Sequence, residues 1–271
     1  MLIYLCMGDF GDDVFEGTAP YYARYRVRYP KELFDQIVET FGLDGKGRLL
    51  DLGCGTGELT IPLAKYFEKA LALDPDAGML QEGQKKAKKA RITNIDWQKK
   101  SSKDISSLSG KFRLVTMGGS FHWMEQEQVL NQLYAMVEPG GGVAVSGGAK
   151  PLEFSSRASQ KDKVIQEIIK KYLGTERRAG EHIYTHPEKS FEEYLHGSKF
   201  HDFKEHYYEV ELTRNINEIV GNLYSTSFAS KKQLGDKAGD FEKELKMRLA
   251  DLAQNGLFKE KLEFSLFTVL K

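Results

Sequence analysis

An acid stands two residues ahead of three alternating glycines: Asp51, then Gly53, Gly55 and Gly57, in the run RLLDLGCGTG at positions 48–57. Glycine turns the backbone through positive φ and lets a ligand approach where a Cβ would collide. A glycine-rich turn between a strand and a helix is therefore a seat for a dinucleotide or another adenosyl ligand. Dinucleotide sites use G-x-G-x-x-G and set a pyrophosphate on the helix N-terminus. Here the spacing is G-C-G-T-G, and the acid beside it suits a cationic ligand and opposes a diphosphate. A second acid, Asp74, closes the apolar run at 70–73, where it can accept both hydroxyls of a ribose. A third run, GGSFHWM at 118–124, offers His122 as a base and Trp123 as a packing wall. The plainer reading, preferred for catalysis, makes His122 hydrogen-bonded scaffolding of its loop.

These residues need a sheet to hold them. Residues 48–51, 70–73, 95–99, 113–117 and 142–146 read as five strands, each closed by turn-forming residues. Helices are expected at 31–41, 58–67, 77–91 and 125–138. Pro62 should delay or kink the second of these, and Pro139-Gly140-Gly141 should stop the last. Strand and helix alternate with short connections, the pattern of a parallel sheet covered on both faces. In such a sheet the ligand crevice lies beyond the carboxyl ends of the strands. Asp51, Asp74, Ser101, Ser102 and Gly118 all fall at such ends.

Beyond Pro151 the rhythm changes: helical patterns at 160–173, 188–196, 215–224 and 236–253, a polar loop at 175–186, and strands at 206–213 and 262–270. The expected fold is α/β: a Rossmann-like, seven-stranded, mostly parallel sheet with helices on both faces and a helical cap inserted around the sixth strand. The expected organisation is a tail and aromatic lid at 1–30 and a ligand-binding core at 31–150. A helical cap insertion follows at 151–205, then the last two strands with a second cap segment at 206–271.

Lys+Arg and Asp+Glu are equal at 39 each, so no overall field draws the chain to a phosphate backbone, and nucleic acid is not an expected partner. The run Lys85, Lys86, Lys88, Lys89 and Arg91 reads as a solvated helix face. Cys6 lies in the tail and Cys54 in the glycine turn, which argues against a disulfide and for a reducing compartment. The N-terminal MLIYLCM has no basic flank and is too short for a signal peptide or a spanning helix, and Met7 is a candidate start. The expectation is a cytoplasmic protein with no membrane partner. His182 and His186 carry no ligand spacing, so no metal is expected. The segment YYARYRVRYP at 21–30 either covers an edge of the core or acts as a lid that stacks on a ligand and holds an anion.

In order, at the ends of three successive strands, LLDLGCGTGELT, ALALDPDAGML and GSFHWM resemble the class I S-adenosylmethionine-dependent methyltransferases. The likeness is greatest to the small-molecule branch with trans-aconitate methyltransferase-like and menaquinone-biosynthesis-like enzymes. It covers residues 20–150 and, more loosely, LYSTSFAS at 223–230. The resemblance implies S-adenosylmethionine as cofactor, with Asp51, Gly53 and Gly55 facing its methionine part and Gly57 opening the helix. Asp74 would hold the ribose and Met79 would lie near the adenine, with Ser101, Ser102 and Gly118 completing the site. Where the family has an acid and an alanine after the third strand, this chain has Ser101-Ser102; where it has aspartate in F-D-L-V, this chain has Arg113. Tyr22, Tyr25, Arg26 and Tyr29 match a Y-x-x-Y-R-x-x-Y-P lead-in of that branch, with the first three assigned to the cofactor.

The acceptor is assigned to Trp123, Tyr29, Arg178 and Tyr184, with Arg177 and Arg178 suited to an anion. The implied activity is methyl transfer to an oxygen, ahead of a nitrogen, of a small and anionic metabolite, by a monomer or homodimer. An NAD(P)-dependent oxidoreductase and a cofactor-binding protein without acceptor turnover stay open as alternatives.

Overall fold

A computed structural model describes residues 13–151, 159–180, 182–184, 187–253 and 255–271. The expectations on Cys6, Met7 and His186 lie outside the described residues. Helix α1 (Ala19–Tyr25) carries Pro20 in its first turn, where a missing N–H is no loss. Helix α2 (Lys31–Thr40) buries Leu33 and Ile37, and strand β1 (Arg48–Leu52) runs into the glycine turn. Pro62 acts by delay: α3 is only Thr60–Leu63, so the proline falls among the first-turn N–H groups that have no helical partner. A 3-10 turn at Ala64–Tyr66 then leads to β2 (Lys69–Asp74). Helix α4 (Ala77–Lys89) is capped by Asp76, whose carboxylate accepts the Met79 amide at 3.0 Å. Strand β3 (Ile95–Lys99) is followed by a 3-10 turn, Ser102–Ser107, closed by a capping box between Ser101 and Asp104.

Strand β4 (Phe112–Gly118), helix α5 (Gln126–Met136) and strand β5 (Val137–Ser146) complete the alternation. Here the structure departs from expectation. Helix α5 ends before Pro139, and Val137 leaves it to pair with Phe112 in the sheet. The ladder then shifts, resuming with Leu114 opposite Gly142, so Pro139, Gly140 and Gly141 bulge out of the strand they were expected to precede. Next come β6 (Lys150–Pro151), α6 (Gln160–Leu173), β7 (Arg178–Ala179) and β8 (His182–Ile183). The polar stretch expected as a loop thus holds a small antiparallel hairpin, with Gly180 at φ 60° in its turn. The remaining elements are α7 (Phe191–His196), β9 (His201–Asn215), α8 (Ile216–Tyr224), α9 (Lys231–Leu234), α10 (Ala238–Ala250) and β10 (Leu257–Leu270).

The chain divides into two compact units. The core unit comprises 28–149, 186–208 and 264–271. In it β3, β2, β1, β4 and β5 pair in parallel in that order, and Leu266–Leu270 of β10 lie antiparallel on β5. Leu50, Leu52, Val115, Met117, Val143 and Val145 pack with Phe121 in its hydrophobic core. Arg113, where an aspartate was expected by resemblance, is an anchor: it donates to Asp44 at 2.9 Å and to the Phe41 and Gly42 carbonyls.

The cap unit comprises the described residues of 1–27, 150–185 and 209–263. Helices α6, α8 and α10 bury Ile168, Val220, Tyr224, Phe241 and Leu245 together. Leu262 and Glu263 of β10 pair with β6, which with β9 brings the sheet to eight strands among the described residues, where seven were expected. The mostly parallel α/β class stands. Among the described residues no helix is long and apolar enough to cross a membrane.

Candidate functional site

The turn after β1 is built by its glycines. Gly53, Gly55 and Gly57 take φ of 66°, 54° and 85°, which an L side chain rarely adopts. At Gly53 a Cβ would lie 2.5 Å from the Cβ of Ser120, whose hydroxyl donates to the Leu52 carbonyl at 2.6 Å. The loop after β4 is thereby clamped over the turn.

Two carboxylates serve this turn from different depths. Asp51 is 1% exposed, and each of its oxygens accepts a threonine hydroxyl, from Thr60 at 2.5 Å and Thr116 at 2.8 Å. It therefore lies beneath the turn, held by side chains of α3 and β4. Asp74 accepts the Gly55 amide at 2.8 Å on one oxygen and the Asp76 amide at 2.9 Å on the other. Burial pushes Asp51 up to about 6 and Asp74 up to about 7, each resisted by the hydrogen bonds it accepts. Lys86 is tied to Thr56 and Glu58, at 2.9 and 2.6 Å.

Met79 is 2% exposed at the start of α4. Ser101 uses both its amide and its hydroxyl on Asp104, at 2.8 and 3.2 Å. At the end of β4, a Cβ on Gly118 would meet the Tyr29 hydroxyl at 2.8 Å and the Leu59 Cδ1 at 2.7 Å. Tyr29 thus delivers a phenol to the carboxyl end of that strand, its ring against Phe34 and Phe264. His122 and Trp123 sit together in a 3-10 turn, ring centroids 4.6 Å apart, with His122 stacked on Phe191.

The other candidates belong to the cap unit. Tyr25 lies where a Cβ on Gly221 would be 2.4 Å from its ring. Arg26 sits over the Tyr22 ring at 4.7 Å and donates to the Ser225 carbonyl at 3.0 Å. Arg178 opens β7, and Tyr184 stacks on Arg177 at 4.4 Å. The structure brings Asp51, Asp74, the three glycines, Gly118 and Tyr29 to the carboxyl ends of β1, β2 and β4 in the core unit. Thr60, Thr116 and Ser120 were missed by sequence reasoning, because a hydroxyl that serves an acid many positions away has no spacing signature.

Residues 49–141 match the family described as a methyltransferase domain. With the 3-2-1-4-5 strand order and the acid-glycine turn, that decides the segment. It is a class I methyltransferase domain. Among curated proteins, trans-aconitate 2-methyltransferase of Deinococcus radiodurans is 37% identical over 101 residues, 36% of each chain. Malonyl-[acyl-carrier protein] O-methyltransferase of Priestia megaterium is 29% identical over 130 residues, 46% of this chain and 45% of the relative. The matches thus span less than half the length of either relative. An S-adenosylmethionine-dependent methyltransferase of Thiobacillus denitrificans, solved with S-adenosyl-L-homocysteine, shares the fold. Its TM-score is 0.50 at 12% identity, over 92% of this chain and 96% of that one.

Proposed function

We propose that this chain transfers a methyl group from S-adenosylmethionine to an oxygen of a small, anionic metabolite. The observation that carries the reading is the Asp74–Gly55 hydrogen bond with Asp51 buried under the same turn. Two carboxylates within one low-dielectric turn attract a cation and repel a pyrophosphate, so the donor set fits an ammonium and a sulfonium and not a dinucleotide. Bound there, S-adenosylmethionine supplies a methyl group already activated by a sulfonium leaving group.

The residues of the chain then have little chemistry left to do. Gly53 and Gly55 admit the methionine part, Asp74 accepts the ribose hydroxyls, and Met79 and Ser102 flank the adenine. Asp51 acts through the turn it supports. The loop with His122 and Trp123, and the Tyr29 hydroxyl at Gly118, hold the acceptor oxygen in line and exclude water, which supplies much of the acceleration. An ionised carboxylate needs no base, so His122 positions and does not take a proton. The relative named for O-methylation of malonyl-[acyl-carrier protein] supports an oxygen as acceptor, and the one named for trans-aconitate supports a small anionic metabolite. The equal numbers of basic and acidic residues favour a small molecule over nucleic acid.

Calorimetry with S-adenosylhomocysteine and with NADH tests the cofactor. Tight binding of NADH with none of S-adenosylhomocysteine would overturn the reading. A metabolite pool incubated with methyl-labelled cofactor should then yield a labelled, alkali-labile ester.

A further inference from the structure

The cap unit holds a half-open cavity of about 310 Å³ between the end of α6, the β7–β8 hairpin and the Phe228 segment. Its walls divide by chemistry. Ile169, Leu173 and Phe228 give an apolar floor, and Lys170, Arg177 and Arg178 bring three cations against one acid among the described residues, Glu176. Local structure explains the gathering. Lys170 sits in the last turn of α6, where the helix dipole favours a cation. Gly174, at φ 86°, then turns the chain sharply, so that Arg177 and Arg178 follow within four residues. Arg177 is fixed between two rings, 4.4 Å from Tyr184 and 5.0 Å from Phe228, which orients its plane and leaves its N–H edge to donate.

The cations of this cavity are not used up by the fold. Among the described residues, Lys170, Arg177 and Arg178 have no carboxylate within ion-pair distance. On the same helix Lys171 pairs with Glu244, and on α10 Arg248 pairs with Glu167. A bare inorganic anion would waste the apolar floor, and a neutral apolar ligand would leave the cations desolvated for nothing. The volume is at the small end of cavities that take organic ligands.

We propose that this cavity is a binding site for a small organic carboxylate, its head on Lys170, Arg177 and Arg178 and its apolar body on Ile169, Leu173 and Phe228. The site stands on the cap unit alone and goes beyond the methyl-transfer reading.

The test uses the full chain without cofactor and octanoate as the probe, with acetate and octan-1-ol as controls, followed by calorimetry. Octanoate should bind saturably at one site, and more weakly as salt is raised. R178Q and K170Q, at exposed positions, should each weaken it about tenfold, the loss of one charge-assisted contact, and F228A should weaken it as well. Acetate and octan-1-ol should bind far more weakly than octanoate. No saturable binding, equal affinity in wild type and the charge variants, or octan-1-ol binding as well as octanoate would overturn the site. Titrating the same wild-type sample with S-adenosylhomocysteine reads the methyl-transfer proposal separately, so failure of one leaves the other standing.

Discussion

Asp74 accepts the Gly55 amide at 2.8 Å, so the acid that ends β2 and the middle glycine of the turn after β1 are one mechanical unit. The acid is buried, and its other oxygen is held by the Asp76 amide. A ligand hydroxyl therefore meets a carboxylate that is already oriented. At pH 8, above its raised value of about 7, Asp74 is ionised, and replacing it by Asn keeps one acceptor oxygen but removes the charge. We expect S-adenosylhomocysteine to bind D74N between about ten and a hundredfold more weakly, the usual worth of a hydrogen bond to a charged group. Unchanged affinity by calorimetry would remove Asp74 from the site.

The same carboxylates predict a pH dependence of stability. The folded protein holds Asp51 at about 6 and Asp74 at about 7, above the ordinary 3.8. Below 3.8 both groups are protonated in folded and unfolded chains, and they bring no penalty. Between 3.8 and those raised values the unfolded chain has released protons that the folded chain keeps, so their contribution falls as pH rises and levels off above about 7. D74N escapes its share of that loss. The Tm of D74N minus that of wild type should climb between pH 4 and pH 7 and then stay flat. A difference independent of pH would mean that Asp74 is not held protonated by burial.

Thr60 and Thr116 are the reason Asp51 can lie 1% exposed. Each threonine hydroxyl donates to a different oxygen of the carboxylate. Thr60→Val and Thr116→Val keep side-chain shape while deleting one donor each. Each should cost about 1–3 kcal/mol in denaturant unfolding, the price of an unsatisfied buried acceptor. The double variant should push Asp51 higher still. Two neutral substitutions would show that water satisfies Asp51 instead.

In the cap unit, Glu260 accepts both Lys161 and Arg214, and all three side chains are largely buried. Removing the acid leaves Arg214 without a carboxylate and Lys161 with only Asp162, 3.4 Å away, while both stay short of water. Glu260→Ala should therefore destabilise by about 3–5 kcal/mol, while Glu260→Gln, which still accepts, should cost less. Equal and small losses in both would place the cations in solvent.

β1, β2 and β4 were legible because each is a short, largely apolar run closed by turn residues, and β3 falls on the expected residues, 95–99. Asp51, Asp74 and the glycines were legible because they sit at strand ends, where sequence order and spatial order coincide. What was hidden depends on distant partners. Nothing local says that Val137 prefers pairing with Phe112 to another turn of helix, or that Pro139 to Gly141 bulge out of a strand. The β7–β8 hairpin is two residues a side, too short for alternation to show. Arg113 departs from the family pattern, and its role depends on distant partners, the Phe41 and Gly42 carbonyls and Asp44.

Gly118 and Tyr29 offer the sharpest test of the acceptor end. A methyl group at position 118 would lie 2.8 Å from the Tyr29 hydroxyl and 2.7 Å from a Leu59 methyl. Leu59 is 3% exposed and the tyrosine ring is packed on Phe34 and Phe264, so neither side chain retreats freely. Gly118→Ala should then lower stability by about 1–3 kcal/mol, the range for overpacking. Tyr29→Phe deletes the oxygen that the new methyl meets. In the double variant part of that loss should return, giving a coupling of about 0.5–1 kcal/mol. Turnover should separate the two roles: Tyr29→Phe alone should lower kcat with the S-adenosylhomocysteine affinity intact if the hydroxyl faces the acceptor. Strict additivity in stability would put the phenol elsewhere, and loss of cofactor affinity in Tyr29→Phe would move it from the acceptor to the cofactor.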